Sequence, residues 1–419
     1  MITTTLTIPV PEALATSTEI AATLASPRAA LPADHQEDGR RWPQSLAGGA
    51  AGIALLHVER ARSGHGDWAT ARAWLAEAAS GKITAAPNAG LFFGAPALAH
   101  VFHIAAESTG HYRRVLAALD DATVSTTRAA LASAHTRMDR AERPELREFD
   151  LIRGLAGLGA YHLAAHPGSD VTRDVLACLA RLTEPRPGAK DSLPPWWTDA
   201  STSGEPSPDF PGGHGNFGMS HGISAVLAVL SLASLRGITV PGTQDAIHRI
   251  CAWTDQWRHG DPASPWWPGY ITVAQADARR ADPVLRPRPS WCYGAAGTAR
   301  AQQLAGLALR DKARQQVAET AVLTVLRDPA ELRRLTGTGL CHGTAGLLQS
   351  AWRMAADAAT SEISAELPRL VIRLTAQLAG SREDNPELLD GTAGAALALH
   401  TVGTAAAPGP CWDAFLALA

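Results

Sequence analysis

The chain has 419 residues, a formal net charge of -3 and 18% charged residues, which gives no basic field for nucleic acid and no polybasic segment for a membrane surface. Alanine and leucine dominate and β-branched runs are missing, so an all-α protein with a large core is expected. Five cysteines, odd in number and far apart, argue against a disulfide framework and leave reduced thiols.

Residues 1–40 have weak periodicity and read as an N-terminal segment, either a docking helix or partly disordered. The first 27 residues hold no Lys or Arg and no continuous apolar run. The most apolar stretch, Ile223 to Leu235, is too short to span a bilayer. A cytoplasmic protein without an integral membrane segment is expected.

Residues 41–419 read as one domain built on a repeat. Seven short turns recur: Gly49-Ala50-Ala51-Gly52, Gly94-Ala95-Pro96-Ala97, Gly154-Leu155-Ala156-Gly157, Gly222-Ile223-Ser224-Ala225, Gly294-Ala295-Ala296-Gly297, Gly343-Thr344-Ala345-Gly346 and Gly391-Thr392-Ala393-Gly394. The pattern alone is weak, since 37 glycines produce some matches by chance. Its context is stronger, because each turn leads into an alanine- and leucine-rich segment of helical periodicity. Successive first glycines are 45, 60, 68, 72, 49 and 48 residues apart. That is room for two helices per repeat, which either stack as an open solenoid or close into a ring. Two polar, proline-rich insertions, near 184–211 and 260–289, precede the fourth and fifth turns and are placed to shape a binding face.

Chemistry gathers at these turns. Asp150 lies just before the third and Arg288 shortly before the fifth; a loop charge is ordinarily just solvated, and spacing alone does not single them out. His221 immediately precedes Gly222, in register with His342 before Gly343, and is a candidate acid or base. His214 is out of register and reads as a satisfied histidine. Tyr293 either donates to a developing anion or packs. Trp196, Trp197, Trp266 and Trp267 form either an apolar peptide groove or loop packing.

Cys292 and Cys341 sit ahead of equivalent turns, and His342 stands beside the second. Two thiolates and an imidazole suit Zn²⁺, with one coordination position left open. Two thiolates also blunt the Lewis acidity of the metal, which favours activating a third sulfur over activating water. Cys178, Cys251 and Cys411 have ordinary helical or loop context. The chain contains no phosphate-binding loop, no dinucleotide fingerprint and no His-Glu-x-x-His.

With Ser220-His221-Gly222-Ile223, Trp291-Cys292-Tyr293-Gly294 and Cys341-His342-Gly343 on these turns, the chain resembles the lanthionine synthetase C-like family over roughly residues 40 to 400, and in particular its stand-alone lanthipeptide cyclases. Ala97 and Ala225 replace the second glycine of the pattern, a change small enough to keep both turns. The resemblance implies an α/α toroid, a double ring of seven helices, with Cys292, Cys341 and His342 as zinc ligands. It further implies His221 as acid/base residue, with Asp150, Arg288 and Tyr293 as active-site residues. The implied reaction is Michael addition of a cysteine of a dehydrated precursor peptide to dehydroalanine or dehydrobutyrine, forming (methyl)lanthionine. It leaves open whether a dehydratase and a transporter act as partners in a complex at the membrane periphery. Rival readings are addition of an external thiol such as glutathione, a zinc prenyltransferase β-subunit, which the ligand set fits worse, and a non-catalytic peptide-binding toroid with structural zinc.

Overall fold

A computed structural model describes residues 10–30, 43–188, 191–380, 385–405 and 411–419. Within the N-terminal segment, residues 1–9 and 31–40 lie outside the described residues. The described chain is mainly helical, and every one of the seven first glycines is the N-cap of a helix. Those helices are buried almost throughout, as their Ala/Leu composition requires; burying a leucine or isoleucine on them contributes about 2 kcal/mol. Their partners are one-sided. Helix Asp170–Arg181, for example, turns Val171, Val175, Leu176 and Leu179 inward and is capped by Ser169, whose hydroxyl accepts from Thr172 N. Asp67 caps helix Trp68–Ala78 in the same way.

The chain groups into two compact units, Met1–Thr123 with Leu326–Asp413, and Val124–Val325 with Ala414–Ala419. In the first, glycine-led helix Ala50–Arg62 packs on Trp68–Ala78 and Ala95–Thr109, and Thr344–Asp357 packs on Glu362–Gly380 and Thr392–Thr404. Helix Pro11–Thr23 lies along Thr392–Thr404, where buried Ser17 donates to Ala396 O at 2.8 Å. A Cβ on Gly403 would meet Leu14 N at 2.7 Å, so the glycine is what lets these helices approach. In the second unit, Ile223–Leu235 packs on Leu155–Ala165, Thr243–Gln256 and Ala295–Leu309.

The second insertion is not wholly loop. Strand His214–Asn216, just after the first, pairs antiparallel with strand Tyr270–Thr272 in the second, and a short helix, Val273–Ala278, follows. The four tryptophans of the insertions are 0–8% exposed, which decides for packing over an open groove. Trp197 donates to Gly212 O at 2.8 Å, Trp196 meets Trp253 edge-on, and Trp266 stacks on His259 with Arg286 above a ring face.

Candidate metal and acid/base site

Neighbouring turns are laced by one recurring backbone bond. Its acceptor is always the carbonyl two residues before a first glycine. In the second unit Leu151 N donates to Ser220 O at 3.1 Å, and Met219 N to Cys292 O at 2.8 Å. In the first, Leu46 N donates to Phe92 O, Leu389 N to Ala47 O and Cys341 N to Leu389 O. The lacing sets third, fourth and fifth turns side by side, and so brings Asp150, His221 and Tyr293 together although they are far apart in sequence.

Glycine is obligatory at several of these corners. A Cβ on Gly294 would fall within 2.8 Å of Pro289 C and closer still to Arg288 O and Ser290 N. Six of the seven N-cap glycines have extended backbone; Gly94 alone needs its positive φ of 82°.

Asp150 is 1% exposed. One carboxylate oxygen, Oδ1, accepts from Arg153 N at 2.7 Å and Gly154 N at 2.8 Å, which fixes the carboxylate on its own turn. The other, Oδ2, lies 2.6 Å from His221 Nδ1. The imidazole therefore directs Nδ1–H to Asp150 and is left with Nε2 for proton exchange. Its side chain is 32% exposed, open enough to meet a substrate. The rings of His221 and Tyr293 have centroids 6.4 Å apart. Arg288 is not drawn into this group: its side chain is exposed and, among the described residues, that side chain makes no hydrogen bond or ion pair, while its carbonyl accepts from Ser290 N at 2.7 Å.

Cys292, Cys341 and His342 offer one ligand atom each, and these atoms lie within 4.8 Å of one another. Among the described residues no other such group occurs. The donor set of two sulfurs and one nitrogen fits zinc. Two neighbours reinforce the fit. Asp390 Oδ1 is 3.2 Å from His342 Nδ1, an ion-pair distance that sets a negative charge beside the imidazole. Ser290 Oγ lies 3.3 Å from Cys292 Sγ. Cys178 and Cys251 differ sharply, being buried on helices with their thiols pushed up to about 12 by desolvation.

Sequence reasoning did not single out Asp390, Ser290 or Asn216. Asp390 carried a signal, since it stands directly before Gly391 as His342 stands before Gly343. Asn216 carried none in that register. It is 2% exposed and joins buried His214 to Tyr293.

The profile of the family described as lanthionine synthetase C-like protein matches residues 41–408. Nisin biosynthesis protein NisC of Lactococcus lactis subsp. lactis is 24% identical over 213 residues, 48% of this chain and 48% of that protein. The match thus spans about half the length of that relative. The solved structure of nisin cyclase aligns with a TM-score of 0.76 at 18% identity, over 96% of each chain. The fold is therefore the α/α toroid expected from the sequence.

Proposed function

Because the chain belongs to the lanthionine synthetase C-like family, we propose that it is a peptide cyclase, forming lanthionine and methyllanthionine rings in a dehydrated precursor peptide. The observation that carries this reading is the Asp150–His221 pair, built on turns equivalent to those that bear the Cys292, Cys341 and His342 donor group. Such a pair supplies a positioned proton, and such a donor group suits a bound thiol.

Cys292, Cys341 and His342 would hold zinc, which when bound keeps a substrate cysteine as thiolate at neutral pH. His221 Nε2 takes the thiol proton and returns it. As the S–Cβ bond forms, the electron pair of the dehydroamino acid double bond moves toward the carbonyl as an enolate. His221 then protonates Cα, so that the proton lost from sulfur ends on carbon and nothing else is consumed. Asp150 holds the ring and stabilises the imidazolium between these transfers. Tyr293 donates to the enolate oxygen, and exposed Arg288 supplies positive charge as the peptide is bound. The substrate arrives already dehydrated, so a dehydratase must act before this protein. No helix among the described residues is long and apolar enough to cross a membrane.

The test is incubation of zinc-loaded protein with a dehydrated peptide, followed by thiol alkylation and mass spectrometry. Ring closure leaves the mass unchanged and removes alkylatable thiols. Thiols that persist, or loss of dehydro residues only when glutathione is added, would reject peptide cyclisation. Zinc removal with a chelator should stop ring formation and zinc should restore it.

A further inference from the structure

Behind Tyr293 lies a buried polar chain in which three bonds have their direction set by their neighbours. His214 is 0% exposed. Its Nδ1 lies 2.8 Å from Ala200 O, a carbonyl that can only accept, so the proton is on Nδ1 and Nε2 carries a lone pair. Burial pulls the His214 pKa down to about 4, which keeps the ring neutral and that lone pair available at neutral pH. Asn216 Nδ2 donates to this Nε2 at 3.2 Å, while Asn216 Oδ1 accepts from Gly218 N at 2.9 Å. The two bonds fix which way the amide faces. The same Nδ2 reaches Tyr293 Oη at 3.3 Å, where the amide must donate and the phenol oxygen accept.

We propose that Asn216 is a positioning residue: by donating to the Tyr293 oxygen it reserves the Tyr293 O–H for donation to the anion that develops on the substrate. The use of that anion rests on the cyclase reading; the direction of the Asn216–Tyr293 bond does not. A phenol that accepts one hydrogen bond is also a better donor in the next, because the two polarise each other. The small strand pair acquires a purpose here, since His214 and Asn216 both lie on strand His214–Asn216.

N216D is the decisive variant. It retains Oδ1 for Gly218 N and nearly the same shape, but replaces the Nδ2 donor with an acceptor, which captures the Tyr293 proton. In protein labelled with 13C at tyrosine Cζ, with the Tyr293 resonance assigned by Y293F, that resonance should move downfield in N216D; an unchanged resonance overturns the proposal. For ring formation, kcat of N216D should fall roughly tenfold to a hundredfold with KM little changed, and N216D should cost nothing further in a Y293F background. Equal losses in both backgrounds overturn the proposal. If N216D does not fold because it buries a charge, N216A carries both measurements: the Tyr293 resonance should move and the loss should vanish in Y293F. A wild-type protein that closes no ring rejects the cyclase reading alone, and the resonance then decides the proposal.

Discussion

At the scale of single residues, Asp150 combines two duties that substitution can separate. Its Oδ1 ties down the turn and its Oδ2 holds His221. D150A should lower both thermal stability and ring formation, because two backbone donors lose their acceptor, the buried Gly154 N at a cost of about 1–3 kcal/mol and the part-buried Arg153 N at less. D150N keeps an oxygen for the turn and should lose mainly rate, as measured by cyclisation against a melting curve. H221A should reduce cyclisation about a hundredfold or more while zinc content stays at wild-type level. Asp390 separates from the acid/base group in the opposite sense. D390N should weaken zinc binding roughly tenfold to a hundredfold in chelator competition, because His342 loses the negative charge that stands 3.2 Å from its Nδ1.

At the scale of elements, the turn is the unit that matters, and Gly294 is among its tightest corners. G294A forces a Cβ onto Arg288 O and Ser290 N, so the loop carrying Cys292 must move. The expected result is destabilisation of about 2–4 kcal/mol and loss of bound zinc, read by thermal melting and metal analysis. Glycine spacing made these turns legible in the sequence, because close backbone approach can be met only by small residues, and all seven predicted turns cap helices. The thiol and imidazole positions were legible for the same reason: register turned separation along the chain into proximity. Asn216 was not. Its role depends on a side chain reaching across from one short strand and a phenol reaching from the next turn, and neither distance has a period in sequence. The strand pair itself was hidden for a related reason, since strands of three residues in or just after a proline-rich insertion are too short to show alternation. The tryptophans stayed undecided between groove and packing because composition reports apolar surface without saying which side of it is covered.

At the scale of the whole molecule, three buried histidines are expected to lower stability on the acid side. Desolvation lowers His100 and His214 to about 4 and His400 to about 3, against an ordinary value of 6.5. Below 6.5 the unfolded chain therefore binds protons that the folded chain refuses. Stability from these groups is complete above about pH 6.5 and declines as pH falls toward 4, each group contributing up to about 1.4 kcal/mol per pH unit. Melting temperature should be level near neutrality and drop across that window, and H400Q should flatten the drop; a profile unchanged by H400Q would show that carboxylates control acid unfolding instead. The lacing bonds carry a different lesson. Because they use only main-chain atoms, the frame makes no demand on which side chains stand one and two places before each glycine. Cys341 and His342 occupy two such places, Leu389 and Asp390 two more, Ala47 and Gly48 another two. The architecture is thus a row of interchangeable sockets, in which new chemistry can be installed at one rim position without disturbing the hydrogen bonds that hold the rim.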